Sequence, residues 1–136
     1  TTNTTNFCSN GAWFEKVYKL NAKNKDLYLC LGSGISCNTC IYQIAMVVEL
    51  TNDSINFNYP AFGANSGDDA SPGNEHEACF ILDARMGDIE HFAFDPKTQT
   101  LNYTYLTDDN TPVQTVKQKR IAERFVFDGV QFVKKR

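Results

Sequence analysis

Short runs in which apolar and polar residues alternate dominate the chain, and clusters of turn residues separate them. Alternation with a period of two is the pattern of a β-strand that buries one of its faces. The clearest runs are residues 13–20, 27–31, 55–59, 78–82, 91–94, 100–106, 124–127 and 130–133. The spacing predicts an all-β fold, an antiparallel β-sandwich or β-barrel of about eight or nine strands built from consecutive hairpins, with at most one short helix.

Two segments leave the choice between strand and helix open. Residues 41–50 form an almost continuous apolar run, and their β-branched and aromatic side chains favour a strand, with a helix as the alternative. Residues 116–124 are the other place for a helix, but they contain few apolar positions for an amphipathic face. Aromatic residues spaced two apart indicate one buried face of a sheet. These pairs are Phe92 and Phe94, Tyr103 and Tyr105, and Phe125 and Phe127.

Turn residues predict where the strands are joined. Residues 63–77, "GANSGDDASPGNEHE", lack any apolar period and predict one long loop, which in a compact domain is usually functional. A turn also explains the glycines of "GSG" at residues 32–34. Asp128 and Gly129 give the strongest hairpin signal, and we expect them to be the central residues of a type I′ turn.

Size, charge and hydropathy narrow the class of protein. The 136 residues fit one domain, and we expect a flexible segment over residues 1–12 and a single β domain over residues 13–136. Thirteen basic and sixteen acidic residues give a net charge of −3, so no overall positive field attracts nucleic acid. No run approaches the roughly 18 apolar residues of a membrane-spanning helix.

The beginning of the chain and its cysteine content favour export. The opening run of Thr and Asn is typical of a mature protein after removal of a leader, or of a tether that follows a lipidated cysteine. Five cysteines in a chain of this size are more often bridged than reduced, and bridges persist in oxidising compartments. We therefore expect an exported protein, with the bacterial periplasm or envelope as the compartment.

Disulfides explain the cysteines better than a redox motif or a zinc site does. Cys37 and Cys40 form a Cys-x-x-Cys pair, but the residues around them predict strands instead of the helix N-terminus that a redox-active pair needs. Zinc requires four ligands, and this pair supplies half of them. If residues 27–31 and 40–44 form a hairpin centred on Ile35, Cys30 lies opposite Cys40. We expect a Cys30–Cys40 bridge, and pairing of Cys37 with Cys8 or Cys79 as an alternative.

The predicted loop contains most of the side chains that suggest chemistry. Glu75, His76 and Glu77 have the right types for a metal or an acid–base pair, but in an extended segment His76 points away from the two carboxylates. Asp68 and Asp69 add carboxylates whose spacing matches no calcium-binding loop. The sequence contains no recognised nucleophile, phosphate-binding or dinucleotide-binding motif. We therefore expect no catalytic residue, no metal and no cofactor.

Three stretches resemble a group of small exported bacterial proteins built from β-meanders, among them periplasmic lysozyme inhibitors and effector-immunity proteins. The stretches are "KDLYLC", "INFNYP" and "RFVFDGVQFVKK", which begin at residues 25, 55 and 124. The resemblance implies a β scaffold that binds and blocks another protein. Its motifs are general hairpin motifs, and no functional residues are carried over from it.

The resulting hypothesis is a non-enzymatic exported protein that blocks a cell-wall-degrading enzyme or a toxin with its acidic loop. In this hypothesis the partner is basic, since acidic groups speed its encounter. The contact residues are Asp68, Asp69, Glu75, His76 and Glu77. The alternatives are a small-ligand-binding or envelope-structural β module, and a metal-dependent hydrolase that uses His76, His91 and nearby carboxylates.

Overall fold

The computed structural model describes residues 11–62, 74–76, 78–85, 87–108 and 118–135, and these residues form strands but no helix. No helix in this part of the chain is available to cross a membrane. The prediction of an all-β antiparallel fold is confirmed, and the two sheets form a sandwich that does not close into a barrel. Residues 41–50 and 118–124 lie in strands, so both helix alternatives are wrong over the residues that are described.

In the described part of the chain, ten strands make up the two sheets. They are β1 (Trp13–Lys19), β2 (Asp26–Cys37), β3 (Cys40–Leu50), β4 (Ile55–Asn56), β5 (Asn74–His76), β6 (Cys79–Arg85), β7 (Ile89–Asp95), β8 (Thr100–Asp108), β9 (Gln118–Phe127) and β10 (Phe132–Lys135). The first sheet has the order β1-β2-β3-β6-β5, with β4 also beside β3. The second sheet has the order β10-β9-β8-β7. Every pair of neighbouring strands is antiparallel.

Aromatic rings fill the space between the sheets. The inner face of the first sheet, which is turned towards the second sheet, contributes Phe80, whose ring lies 4.9 Å from that of Phe125 and 5.0 Å from that of Tyr103. Phe62 stacks on Phe132 at 5.1 Å. The three aromatic pairs found in the sequence all contribute to this core. Ring pairs at these separations add to the free energy of burial, so the core holds the sheets face to face.

A second apolar layer lies on the outer face of the first sheet, which is turned away from the second sheet. Ile44, Met46, Val48 and Cys79 are buried there. Residues of β3 that alternate with these, such as Val47, are buried in the core between the sheets. Because the middle of β3 is buried on both faces, residues 44–48 are apolar without interruption and show no period of two. Burial on both faces also explains why a helix was a reasonable alternative for residues 41–50.

Two connections differ from the predictions. Residues 74–76, assigned to the long loop, form the short strand β5 at the edge of the first sheet. The β9–β10 hairpin is confirmed, but its connection spans residues 128–131, so the type I′ two-residue turn is wrong. The Asp128 carboxylate accepts hydrogen bonds from the backbone N–H groups of Val130 and Gln131, both 2.9 Å long. These bonds hold the pKa of Asp128 below its usual value and stabilise the longer connection.

The segment before the long loop joins the two sheets along one side. The Tyr59 hydroxyl donates a hydrogen bond to the backbone carbonyl of Val130 over 2.7 Å. The backbone N–H of Phe132 donates to the carbonyl of Ala61, also over 2.7 Å. Residues 1–10 of the expected flexible segment and residues 63–73 of the expected loop lie outside the described residues.

Replacing Phe80 should show how much the fold depends on the ring cluster. We expect Phe80→Ala to lower the free energy of unfolding by roughly 3–5 kcal/mol, because it leaves a cavity between the sheets. Urea denaturation measures the change. Phe57→Ala is the matched control, since Phe57 is 43% exposed, and it should cost much less. Equal losses for the two variants would contradict the assignment of the core.

Candidate functional site

The tip of the β2–β3 hairpin combines a disulfide, exposed apolar side chains and close packing around glycine. The two strands pair from Asp26 and Leu50 at one end to Cys37 and Cys40 at the other. Asn38 and Thr39 form the two-residue connection. With 12 and 11 residues, β2 and β3 are the longest strands of the described chain, and both exceed the usual strand length of about 5–6 residues. The hairpin is therefore long enough to extend past the core.

A disulfide between Cys37 and Cys40 closes this tip. The two cysteines face each other as the last pair of the hairpin, and their Cα atoms are 4.7 Å apart. Cys37 is exposed and Cys40 is half-buried. The bridge fixes both strand ends, so it limits the motion of the turn between them.

The prediction of a Cys30–Cys40 bridge is wrong because the hairpin turns later than expected. The register places Cys30 opposite Met46, and Ile35 opposite Ile41. Cys30 has a free thiol, half-buried on the outer face, and burial raises its pKa. That thiol is therefore less available as a nucleophile than an exposed one. Cys79 is also disulfide-bonded, and Cys8 lies outside the described residues.

Gly32 and Gly34 lie within β2, so the turn assigned to the "GSG" sequence is also wrong. Gly34 is opposite Tyr42, and a Cβ atom at Gly34 would overlap the Tyr42 ring. A Cβ atom at Gly32 would overlap the backbone carbonyl oxygen of Trp13 in the neighbouring strand. The glycines are needed because a ring and a backbone lie where side chains would be. Aromatic cover of a strand glycine is a known way to fix strand register.

Apolar side chains are exposed on the inner face near the tip. Ile35 continues the alternation of the core residues Leu29 and Leu31, yet it is 64% exposed. The second sheet therefore does not cover this end of the hairpin. Trp13 of β1 lies opposite Ser33 of β2 and is 45% exposed. Its indole N–H donates a hydrogen bond to the Glu15 carboxylate over 3.0 Å.

Polar contacts fix the strands on which these apolar side chains lie. The Ser33 hydroxyl donates to the side-chain oxygen of Gln43 over 3.2 Å, between β2 and β3. The Ser36 hydroxyl donates to Asp83 on β6 over 2.8 Å. Asp83, Arg85 and Asp88 line a cleft of about 170 Å³ between β6 and β8. The tip is thus held to β6, and its surroundings contain two carboxylates and the guanidinium of Arg85, which lies opposite Cys40.

The described residues do not include enough of the predicted contact residues to define a site. Asp68, Asp69 and Glu77 lie outside the described residues, and Glu75 and His76 belong to β5. His91 is exposed on β7, far along the chain from the hairpin tip. Within the described ranges, no three His, Cys, Asp or Glu side chains are close enough to hold a metal. The predicted acidic contact surface therefore stays a prediction.

Comparison with known proteins adds no family to these observations. No protein-family model, no curated protein and no solved structure matches the chain.

Sequence reasoning missed the hairpin tip as a site. The Cys-x-x-Cys spacing was the available signal, because two residues between cysteines also fit a β-hairpin whose last pair is bridged. Ile35 gave no signal of its own, since a single isoleucine in an apolar run is normally buried. Ile35 is exposed because the second sheet ends before it, and the sequence of β2 gives no information about where that sheet ends.

Enlarging Gly34 should strain the tip through the ring of Tyr42. We expect Gly34→Ala to lower the free energy of unfolding by roughly 1–3 kcal/mol, the usual cost of overpacking. In a Tyr42→Ala background the same substitution should cost little, because the obstructing ring is absent. Urea denaturation of the four proteins in this double-mutant cycle measures the coupling. An equal cost in both backgrounds would show that the ring does not cause the strain.

Proposed function

We propose that the chain is an exported, non-enzymatic protein that binds another protein and blocks it, and that the hairpin tip is the centre of the contact. One observation carries this proposal. A disulfide closes a hairpin that extends past the core, and Ile35 is exposed beside the bridge. An apolar side chain in such a place is more useful for recognition than for stability.

Rigidity makes the tip suitable for binding. Ordering a mobile loop on association costs free energy, and a loop that is already fixed avoids most of this cost. The Cys37–Cys40 bridge and the Tyr42 ring over Gly34 both restrict the tip before any partner arrives. Tryptophan is enriched among the residues that contribute most to protein interfaces, and Trp13 is half-exposed on the adjacent strand.

The charges around the tip favour a basic partner. Glu15 accepts a hydrogen bond from the Trp13 indole. Asp83, Asp88 and Arg85 line the cleft on the β6 side of the hairpin, so three carboxylates stand against one guanidinium. Acidic groups at the rim of an interface mainly speed association with a positively charged protein. The predicted loop contacts form a second contact region, and their four carboxylates favour the same kind of partner. These contacts are Asp68, Asp69, Glu75, His76 and Glu77. A basic cell-wall-degrading enzyme or toxin has the required charge, and the resemblance of the hairpins to exported inhibitors supports this class.

The disulfides support the exported location in this proposal. Cys37 and Cys40 are bridged, and Cys79 is also oxidised. Structural disulfides persist in the periplasm and outside the cell, whereas cytosolic thiols are usually kept reduced.

Replacing the exposed isoleucine should weaken capture of the partner. We expect immobilised wild-type chain to retain a basic protein from bacterial envelope extract, identified by mass spectrometry. Ile35→Asp should reduce its retention at least tenfold, because a charge is placed at the centre of the apolar contact. The melting temperature should change little, since Ile35 is exposed.

Val130→Asp is the matched control, because Val130 is 52% exposed on the β9–β10 connection. It should retain the partner as well as the wild-type chain does. Equal retention of the partner by the Ile35→Asp and wild-type chains would contradict the assignment of the hairpin tip as the centre of the contact. Retention of no protein by the wild-type chain would contradict the proposed function itself.

The acidic contacts should affect the rate of association. We expect the Asp68→Ala, Asp69→Ala double variant to bind the captured partner with a lower association rate at low salt, because two attractive charges are lost. Surface plasmon resonance measures the rate, and the difference should shrink as salt is added. An unchanged rate at low salt would exclude these two carboxylates from the encounter.

A further inference from the structure

Among the described residues, strand β7 lies at an open edge of the second sheet. It is the last strand in the order of that sheet, and its partner in the described part of the chain is β8. Among the described residues, none forms a backbone hydrogen bond to the other edge of Ile89–Asp95. An open edge offers unpaired N–H and C=O groups to any strand that can align with it.

The side chains of β7 divide cleanly between the two faces of the sheet. His91, Ala93 and Asp95 lie on its outer face, opposite Thr104, Asn102 and Thr100 of β8, and His91 and Asp95 are exposed. Phe92 and Phe94 point towards the core between the sheets. Phe92 is only partly buried, so the edge leaves aromatic surface in water.

We propose that β7 pairs antiparallel with β7 of a second copy of the chain, about a twofold axis at Ala93. The two four-stranded sheets would then form one continuous sheet across the dimer. Because identical strands meet, the contact is self-complementary and closes at two copies.

Pairing of a hydrogen-bond donor with an acceptor selects this register. With the axis at Ala93, His91 lies opposite the partner's Asp95, and symmetry forms the pair twice. Directly opposed residues of antiparallel strands share a face and interact, and opposite charges or hydrogen-bonding groups stabilise the pair. The imidazole can donate to a carboxylate oxygen, although Asp95 Oδ1 already accepts the N–H of Lys97 over 2.9 Å. The second oxygen of Asp95 is available for this bond.

The same register suits the core face. Phe92 lies opposite the partner's Phe94, so each aromatic edge is covered by another ring. An axis at Phe92 would bring the irregularity between Ile89 and His91 into the ladder. An axis at Phe94 would leave fewer residues of the strand to pair. The axis at Ala93 uses the whole regular part of β7.

The edge at β1 is less suitable. Strand β1 has an irregularity between Phe14 and Lys16, near its middle, and carries Lys16 and Lys19. Irregularities and lysines are common devices that prevent pairing at an edge. The regular part of β7 contains neither. One strand pair buries less than the roughly 1,200–2,000 Å² of a stable interface, so the dimer should form reversibly as concentration rises.

Light scattering of the full chain during size-exclusion chromatography tests the proposal. We expect a mass that rises with concentration from 15.3 kDa towards twice that value. Ala93→Lys should abolish the rise, because two lysines would meet at the axis. Ala122→Lys is the matched control, since Ala122 is exposed on the same face in β9, away from the edge, and it should dimerise like the wild-type chain.

Exchanging the side chains of His91 and Asp95 tests the register. His91→Asp should weaken the dimer at least tenfold, because carboxylates would then face each other. Combining it with Asp95→His exchanges the two side chains and should restore dimerisation. A wild-type chain that stays monomeric at every concentration would overturn the proposal. So would equal effects of Ala93→Lys and Ala122→Lys, which would place any association elsewhere. Failure of the exchanged variant to recover would overturn the register.

Discussion

Packing of aromatic rings between two sheets is the interaction on which this structure depends. Phe80 from the first sheet lies against Tyr103 and Phe125 from the second, and Phe62 adds a ring from the segment that crosses between them. Neither sheet can bury its apolar face alone, so the sheets are stable as a pair. The hydrogen bond from Tyr59 to Val130 holds the crossing segment beside the rings.

The position of the hairpin tip follows from the same packing. On the inner face of β2 the side chains are buried as far as Ser33, and the next one, Ile35, is exposed. Since the core does not fix the tip, local contacts must fix it instead. The bridge between Cys37 and Cys40 and the ring of Tyr42 over Gly34 serve this purpose. Residues at the tip are consequently free to serve recognition, whereas the residues between the sheets are committed to stability.

Much of the fold could be predicted from the sequence because most strands bury one face. Alternation located β1, β8 and the last residues of β9, and the aromatic pairs correctly marked the core. The turn of the β2–β3 hairpin was misplaced because glycine usually signals a turn, whereas Gly34 lies in a strand under a ring. That ring comes from a residue eight positions away, and only the register brings the two together.

The hairpin tip and its disulfide could not be predicted, because they depend on strand register and on the packing of the two sheets. A single misplaced turn changed the cross-strand partner of Cys30 from Cys40 to Met46, and with it the expected disulfide. Strand β5 was missed because three residues are too few to show a period. The exposure of Ile35 depends on where the second sheet ends, which is a property of the assembled sandwich.

The bridged pair encloses only Asn38 and Thr39, so it constrains very little of the unfolded chain. Loss of a bridge that closes so small a ring removes much less stability than loss of one that joins distant segments. A change of redox conditions that opened this bond would loosen one corner of the molecule and leave the rest assembled. Folded protein with the bridge and folded protein without it would then be two different populations, distinguished by a single pair of sulfur atoms.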